Sequence, residues 1–481
     1  MSNKALKNKV LSGLIWKFGE RILAQGVSFI VSVILARMLT PDEYGIIAMV
    51  LVFISLADVF VNSGFATALI QKKDADETDF STIFWCSLLC SFLIYSILFM
   101  CAPFIGDFYN NTSLVLIIRI FGLKVPLSVY NSIQHAYVSK YMMFKKFFFS
   151  TLFGTIISGI IGILCAYMKA GVWALVVQYL INTIVDTVIL MVTVKWYPKF
   201  RFSKKSAKLL MNYGSKILLA DLSGTFFGQF RNMVIGKVYK SSDLAYYNKG
   251  QQLPSLITNN ISLSIMTVLF PALSNEGDDK EKVKQISRRF IRLLSYIMFP
   301  ALTGLITIAE PLVCVLFTNK WISCVIYVKL FCIGSIIGLL STTSIQIIKA
   351  IGRSDIVLWL EFIKKPVYII LLLIGVKINV VSIAVTMVIY ELYGTVINMV
   401  YLKKIIGYCL LEQLKDILSA IILSFLMFYI VMFIKVEFII IEIALKIIVA
   451  TFIYIFMSII FNIEEFQYLK ILLFKIIKKD K

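Results

Sequence analysis

Apolar runs of spanning length follow one another along this chain, separated by short polar stretches. The pattern predicts fourteen membrane-crossing helices, at 12–36, 45–69, 80–104, 112–137, 147–167, 171–194, 211–236, 252–273, 288–309, 325–348, 356–376, 379–402, 414–434 and 437–461. Each run is long enough to cross a hydrocarbon core about 30 Å thick. A helix also satisfies its own backbone hydrogen bonds in lipid. The first break is abrupt. "LARMLTPDEYG", residues 35–45, leaves the apolar run at Arg37, turns through Thr40-Pro41-Asp42-Glu43, and is apolar again from Gly45.

A related turn, "IGKVYKSSDLAYYN", occupies 235–248. Leu35, Ala36 and Arg37 align with Ile235, Gly236 and Lys237, and small insertions bring Asp42 and Tyr44 onto Asp243 and Tyr246. One span after each turn comes an acid-rich loop, "QKKDADETDF" and "SNEGDDKEKVKQ". A repeat of about 200 residues in a membrane protein suggests two similar lobes with a pathway between them. Six spans separate the turns, so both face the same side and the repeats are parallel. The expected layout is a six-helix lobe at 1–194, a basic linker at 195–210, a second six-helix lobe at 211–402, and two extra helices with a basic tail at 403–481.

Composition supports an all-α membrane protein. Hydrophobic residues make up 59%, charged residues 16%, and the mean hydropathy is +0.88, whereas soluble domains are near a quarter charged. The net charge of +21 does not indicate a nucleic-acid partner, because the Lys and Arg are scattered through short loops. With the N-terminus inside, inner segments carry about 30 of them and outer loops about eight, the bias that sets orientation. Both termini are then cytosolic, and no cleavable signal peptide is expected. The tail "YLKILLFKIIKKDK" reads as a cytosolic anchor in preference to an interfacial helix. Eight Cys without a CxxC pair read as small buried hydrophobes. A single histidine, His135, argues against a His-based metal site or a Ser-His-Asp triad.

The stretch from "ILARMLTPDEYG" through "GFATALIQKKD" to "FSTIFW" resembles the start of Wzx-type polysaccharide exporters, in particular the colanic-acid and teichuronic-acid exporter branch. "YYNKGQQLP" at 246–254 is similar to that family's second-lobe turn. The superfamily includes the multidrug MATE transporters and the lipid II flippase. The likeness runs over residues 10–300 and then thins to hydropathy alone. It implies twelve to fourteen spans in two lobes. It also implies flipping of undecaprenyl-diphosphate-linked oligosaccharide across the bacterial cytoplasmic membrane by alternating access, beside a polysaccharide polymerase and glycosyltransferases.

Polar residues inside spans mark where such chemistry could sit, because each central Lys, Arg or Asp costs roughly 2.5–3.5 kcal/mol to insert. In span one, Lys17, Arg21, Gln25, Ser28 and Ser32 share a helix face. Two readings fit: a cationic lining for a diphosphate, or a local Glu20–Arg21 pair with Lys17 snorkelling to the surface. Span seven carries Lys216, Asp221, Ser223, Gln229 and Arg231, and span four adds Arg119 and Lys124. Arginine suits a diphosphate because its planar fork binds two oxygens together. Asp58, Asp186 and Asp221 are the candidates for proton or sodium coupling; pairing with a neighbouring Lys or Arg is the alternative for each. Asp58 has no Lys or Arg within a turn of its own helix, so any such partner must come from another one. Glu361 should pair with Lys364 and Lys365, and the Gly154, Ser158, Gly162 stripe should serve helix packing. No cofactor is expected, and no GxxxxGK[ST] motif is present for nucleotide binding. A multidrug efflux pump is the first rival, although spans one and seven are basic or balanced where a cationic drug would need acids. A membrane polymerase or ligase is the second rival, but it would need a larger outer loop.

Overall fold

The computed structural model describes residues 3–72, 74–276 and 279–479; the side chains of 3–15, 17, 18, 20, 21, 262–268, 270–272, 274, 275 and 472–479 lie outside the description. Among the described residues the chain is helical, with no strand. The helices are α1 (Asn3–Met38), α2 (Pro41–Asn62), α3 (Phe65–Gln71), α4 (Glu77–Phe108), α5 (Ser113–Phe121), α6 (Lys124–Lys140), α7 (Phe144–Tyr167), α8 (Val172–Val194), α9 (Lys204–Val238), α10 (Ser241–Asn275), α11 (Lys280–Phe317), α12 (Val325–Ala350), α13 (Ser354–Val376), α14 (Val380–Ile406), α15 (Leu410–Met432), α16 (Ile439–Ile460) and α17 (Glu464–Lys479). A short 3-10 segment, Asn319–Cys324, precedes α12.

Among the described residues ten helical segments are long and apolar enough to cross a membrane, so this is a multi-pass membrane protein. Two long helices fully inside the description fall short of that apolarity. One is α9, with Lys216, Asp221 and Arg231; the other is α13, with Asp355, Glu361, Lys364 and Lys365.

Two of the predicted spans are broken. The span expected at 45–69 ends as α2 at Asn62 and resumes as α3 after Gly64, whose φ of 77° suits glycine. The span expected at 112–137 divides into α5 and α6. Pro126 has no N–H to give the Gly122 carbonyl. The Gly122 carbonyl accepts from Val125 instead, at 3.0 Å.

The chain forms two compact units, residues 1–245 and 246–481. In the first, α7 packs on α8 and α1, and α9 packs on α2, α3 and α4. Its core gathers Phe80, Phe84, Val125, Val129, Ile133, Trp196 and Leu210. The Gly154 stripe does bring helices together: Gly154 faces Asn182 and Asp186, and Asn182 donates to Ser158 Oγ at 3.3 Å. In the second unit, α11 packs on α12, α15 and α16, and α12 on α14.

Within the first unit, which takes in the second turn as far as Ala245, the two related turns touch. Thr40 caps α2 with a reciprocal box: its hydroxyl accepts from the Glu43 amide, and Glu43 accepts from the Thr40 amide at 2.7 Å. At 240 the carboxylate of Asp243 accepts from the Lys240 amide at 3.3 Å. Asp243 therefore stands where Glu43 does, at a constant offset and without insertions; the gapped pairing of Asp42 with Asp243 is corrected. Asp42 has a different task. Its carboxylate accepts from the Ser241 hydroxyl at 2.7 Å and from the Ser242 amide at 3.1 Å. The two turns thus lie side by side.

The residues that carry the family likeness hold this unit together. Ser81 and Thr82 of "FSTIFW" accept from the amides of Lys199 and Ser203, each at 3.0 Å, and the Trp85 indole donates to the Lys199 carbonyl at 3.0 Å. The basic linker at 195–203 is therefore strapped along α4, with Trp196 buried beneath it. In "GFATALIQKKD", Lys72 pairs with Asp79 at 2.6 Å. In the second unit "YYNKGQQLP" docks on the α11–α12 connection: Tyr246 packs edge-on against Trp321, Tyr247 against Phe331, and the Lys249 ammonium sits 4.5 Å over the Phe317 ring.

Candidate functional site

A polar seam runs through the first unit between α2, α6 and α8. The helix break at 122–123 starts α6 at Lys124, and Lys124 Nζ reaches Asp58 on α2 at 2.5 Å. Their side chains are 22% and 18% exposed. The partner for Asp58 thus comes from another helix. About two turns further along α6, Asn131 donates to the Asp186 carboxylate, and His135 Nε2 lies 3.6 Å from the same oxygen. His135 also stacks on Phe147 at 4.3 Å. In both carboxylates the second oxygen, Oδ1, is buried with no hydrogen-bond partner. A buried acceptor left open in this way needs a reason.

The remaining candidates are spread wider. Lys216 and Asp221 are exposed on α9, and Arg231 is half-buried. Arg119 is half-buried on α5, its guanidinium 4.4 Å over the Phe99 ring. Gln25 is half-buried on α1. The side chains of Lys17 and Arg21 lie outside the described residues. In the second unit Glu361 pairs with Lys364 at 2.6 Å and with Lys365 at 3.5 Å, as its spacing predicts.

The second unit holds a polar cluster that sequence reasoning did not find. Asp416, its side chain 1% exposed, binds Arg288 at 2.8 and 2.9 Å, Arg292 at 2.7 Å and the Tyr408 hydroxyl at 2.6 Å. Lys284 reaches Glu412 at 3.0 Å. The arginines and the carboxylate are 124 and 128 residues apart in sequence. The only local signal is the run of bases at the head of α11.

Residues 34–326 match the family model described as polysaccharide biosynthesis protein. The chain belongs to that family. It is similar to the lipopolysaccharide biosynthesis protein WzxC of Escherichia coli (strain K12), 22% identical with 84% of this chain and 83% of the relative covered. It is likewise similar to the teichuronic acid biosynthesis protein TuaB of Bacillus subtilis (strain 168), 23% identical over 73% of each chain. Its fold is that of the lipid II flippase MurJ in an inward closed conformation, with TM-score 0.75, 17% identity, and 94% of this chain and 99% of that one covered. A multidrug MATE transporter in an inward-facing conformation follows at TM-score 0.63, 14% identical, with 80% and 94% covered. The fold can therefore be compared with that of MurJ across nearly the whole chain, whereas the likeness in sequence is modest.

Proposed function

We propose that the chain is a flippase that moves undecaprenyl-diphosphate-linked oligosaccharide repeat units from the cytosolic to the outer leaflet by alternating access. It would serve capsule, O-antigen, exopolysaccharide or teichuronic-acid synthesis. The reading places it in the bacterial cytoplasmic membrane with both termini cytosolic, which the loop charge bias supports. Two similar six-helix lobes, fourteen spans, and a polymerase and glycosyltransferases as working partners belong to the same proposal.

The observation that carries it is the open face of α9. This helix has spanning length, yet Lys216 and Asp221 are exposed upon it. Charges at that depth do not face lipid; they line water or bind an ion. Lys216 and Asp221 balance one another, and the half-buried Arg231 leaves the span net basic, which suits a diphosphate and does not suit the cationic drugs of an efflux pump. The seam supplies a coupling device. Outward movement of an anionic head group is favoured by an inside-negative potential, by about 2.3 kcal/mol per charge per 100 mV. Return of the empty carrier is then the step that needs a cation, and the open oxygens of Asp58 and Asp186 offer a place for one.

Charge removal tests the substrate assignment. Arg21→Ala and Arg231→Ala are each expected to lower surface polysaccharide about tenfold at unchanged protein level, the effect of losing one charge-assisted bond. Arg→Lys at either site should restore part of it, since charge returns without the fork. Normal export by both alanine variants would leave these residues with a structural role only.

A further inference from the structure

A cavity of ≈ 380 Å³ opens between the head of α11 and α17, a size in the range of ligand pockets. It sits at a membrane boundary. α17 begins at Glu464, just past the end of α16 at Ile460, and Phe466 and Leu469 of α17 pack into the apolar cluster around Tyr296, Met427 and Tyr454.

The charged groups around the cavity are not equivalent. Arg288 is committed to Asp416, and Arg292 bridges Asp416 and Glu464, the latter at 2.9 Å. Two groups remain. Arg289 lies with its guanidinium 3.9 Å over the Tyr468 ring, and among the described residues no carboxylate forms an ion pair with it. Glu465 lines the same cavity at 8% exposure, and among the described residues no cation lies within ion-pair distance of it. The two phenols in its vicinity are already spent: Tyr296 donates to Ser458 Oγ at 2.7 Å, and Tyr454 to the Tyr296 carbonyl at 2.8 Å. Glu465 stands in the first turn of α17, where the helix end favours an acid. One spare cation and one spare buried carboxylate, facing a common cavity, complement a ligand that carries one charge of each sign.

We propose that this cavity binds the aminoethyl phosphate head group of a zwitterionic phospholipid, with the phosphodiester on Arg289 and the primary ammonium on Glu465. The guanidinium offers a planar donor fork to phosphate oxygens. The ammonium brings N–H donors that the carboxylate lacks among the described residues. A trimethylammonium head group has none, and a glycerol head group brings no cation, so both fit less well. The inference stands whether or not the chain moves a lipid-linked sugar.

The test is native mass spectrometry of the full-length protein in detergent, titrated with phosphatidylethanolamine, phosphatidylcholine, phosphatidylglycerol and N-acetyl phosphatidylethanolamine. Phosphatidylethanolamine should bind about tenfold more tightly than each of the others, as one charge-assisted contact implies. Glu465→Gln should erase that preference and leave phosphatidylglycerol binding unchanged, while Glu465→Asp should keep part of it. Arg289→Gln should weaken phosphatidylethanolamine and phosphatidylglycerol alike. Equal binding of the four lipids by the native protein, or an unchanged preference in folded Glu465→Gln, overturns the site. Displacement of the lipid by an equal concentration of soluble phosphoethanolamine overturns its assignment to a lipid.

Discussion

Gly45→Ala is expected to leave little folded protein. A Cβ placed on Gly45 would stand 1.9 Å from the Ser241 carbonyl oxygen, 2.3 Å from its carbon and 2.8 Å from Ser241 Cα. These are backbone atoms at the start of α10, and Ser241 and Ser242 are bonded to Asp42 one turn away. Nothing flexible can yield, so either the contact between the turns opens or α2 shifts. Overpacking of this kind costs about 3 kcal/mol or more. Gly228→Ala on α9 is the control, because a Cβ there meets nothing within 4 Å. Detergent-extracted yield and thermal midpoint should collapse for Gly45→Ala and hold for Gly228→Ala. Equal behaviour of the two would contradict the contact.

The second large effect concerns Asp58 and Lys124. Asp58→Asn leaves Lys124 Nζ in the seam without its counter-charge, a loss of roughly 3 kcal/mol for a mostly buried pair. A drop in stability would therefore say nothing about coupling. Asp58→Asn combined with Lys124→Met removes both charges and should recover the thermal midpoint of the native protein. If the open oxygen of Asp58 receives the coupling cation, this double variant should still move substrate once but lose its response to imposed proton or sodium gradients. A folded double variant with full gradient dependence would show that the pair is only a strut and that coupling lies elsewhere.

Much of the architecture was legible because lipid leaves the backbone few choices. Hydropathy located the long helices, and the 35–45 turn announced its counterpart near 240, whereas its capping box emerged only with the structure. What hydropathy could not see were interruptions shorter than a span. Gly64 lies at one such interruption and Pro126 just past the other, where α6 starts at Lys124, the residue that meets Asp58. The seam was half legible. Asp58, Lys124 and Asp186 stood out singly as charges in apolar runs, but their partners lie 55 and 66 residues away on other helices. No local spacing encodes such a meeting. The basic linker looked like a plain tether because its anchors, Ser81 and Thr82, are small hydroxyl residues that carry no strong pattern. Their place in "FSTIFW" has a physical reason: they hold the linker against α4.

The most direct measurement is transport by the purified protein in liposomes. Undecaprenyl-diphosphate-linked oligosaccharide would be loaded in both leaflets, and the share open to an impermeant sugar-modifying reagent followed in time. Native protein should carry the protected half to the reagent within minutes under an imposed potential, with Arg231→Ala markedly slower at equal incorporation. Native protein that exposes the lipid-linked sugar no faster than protein-free liposomes, with or without ion gradients, would contradict the account.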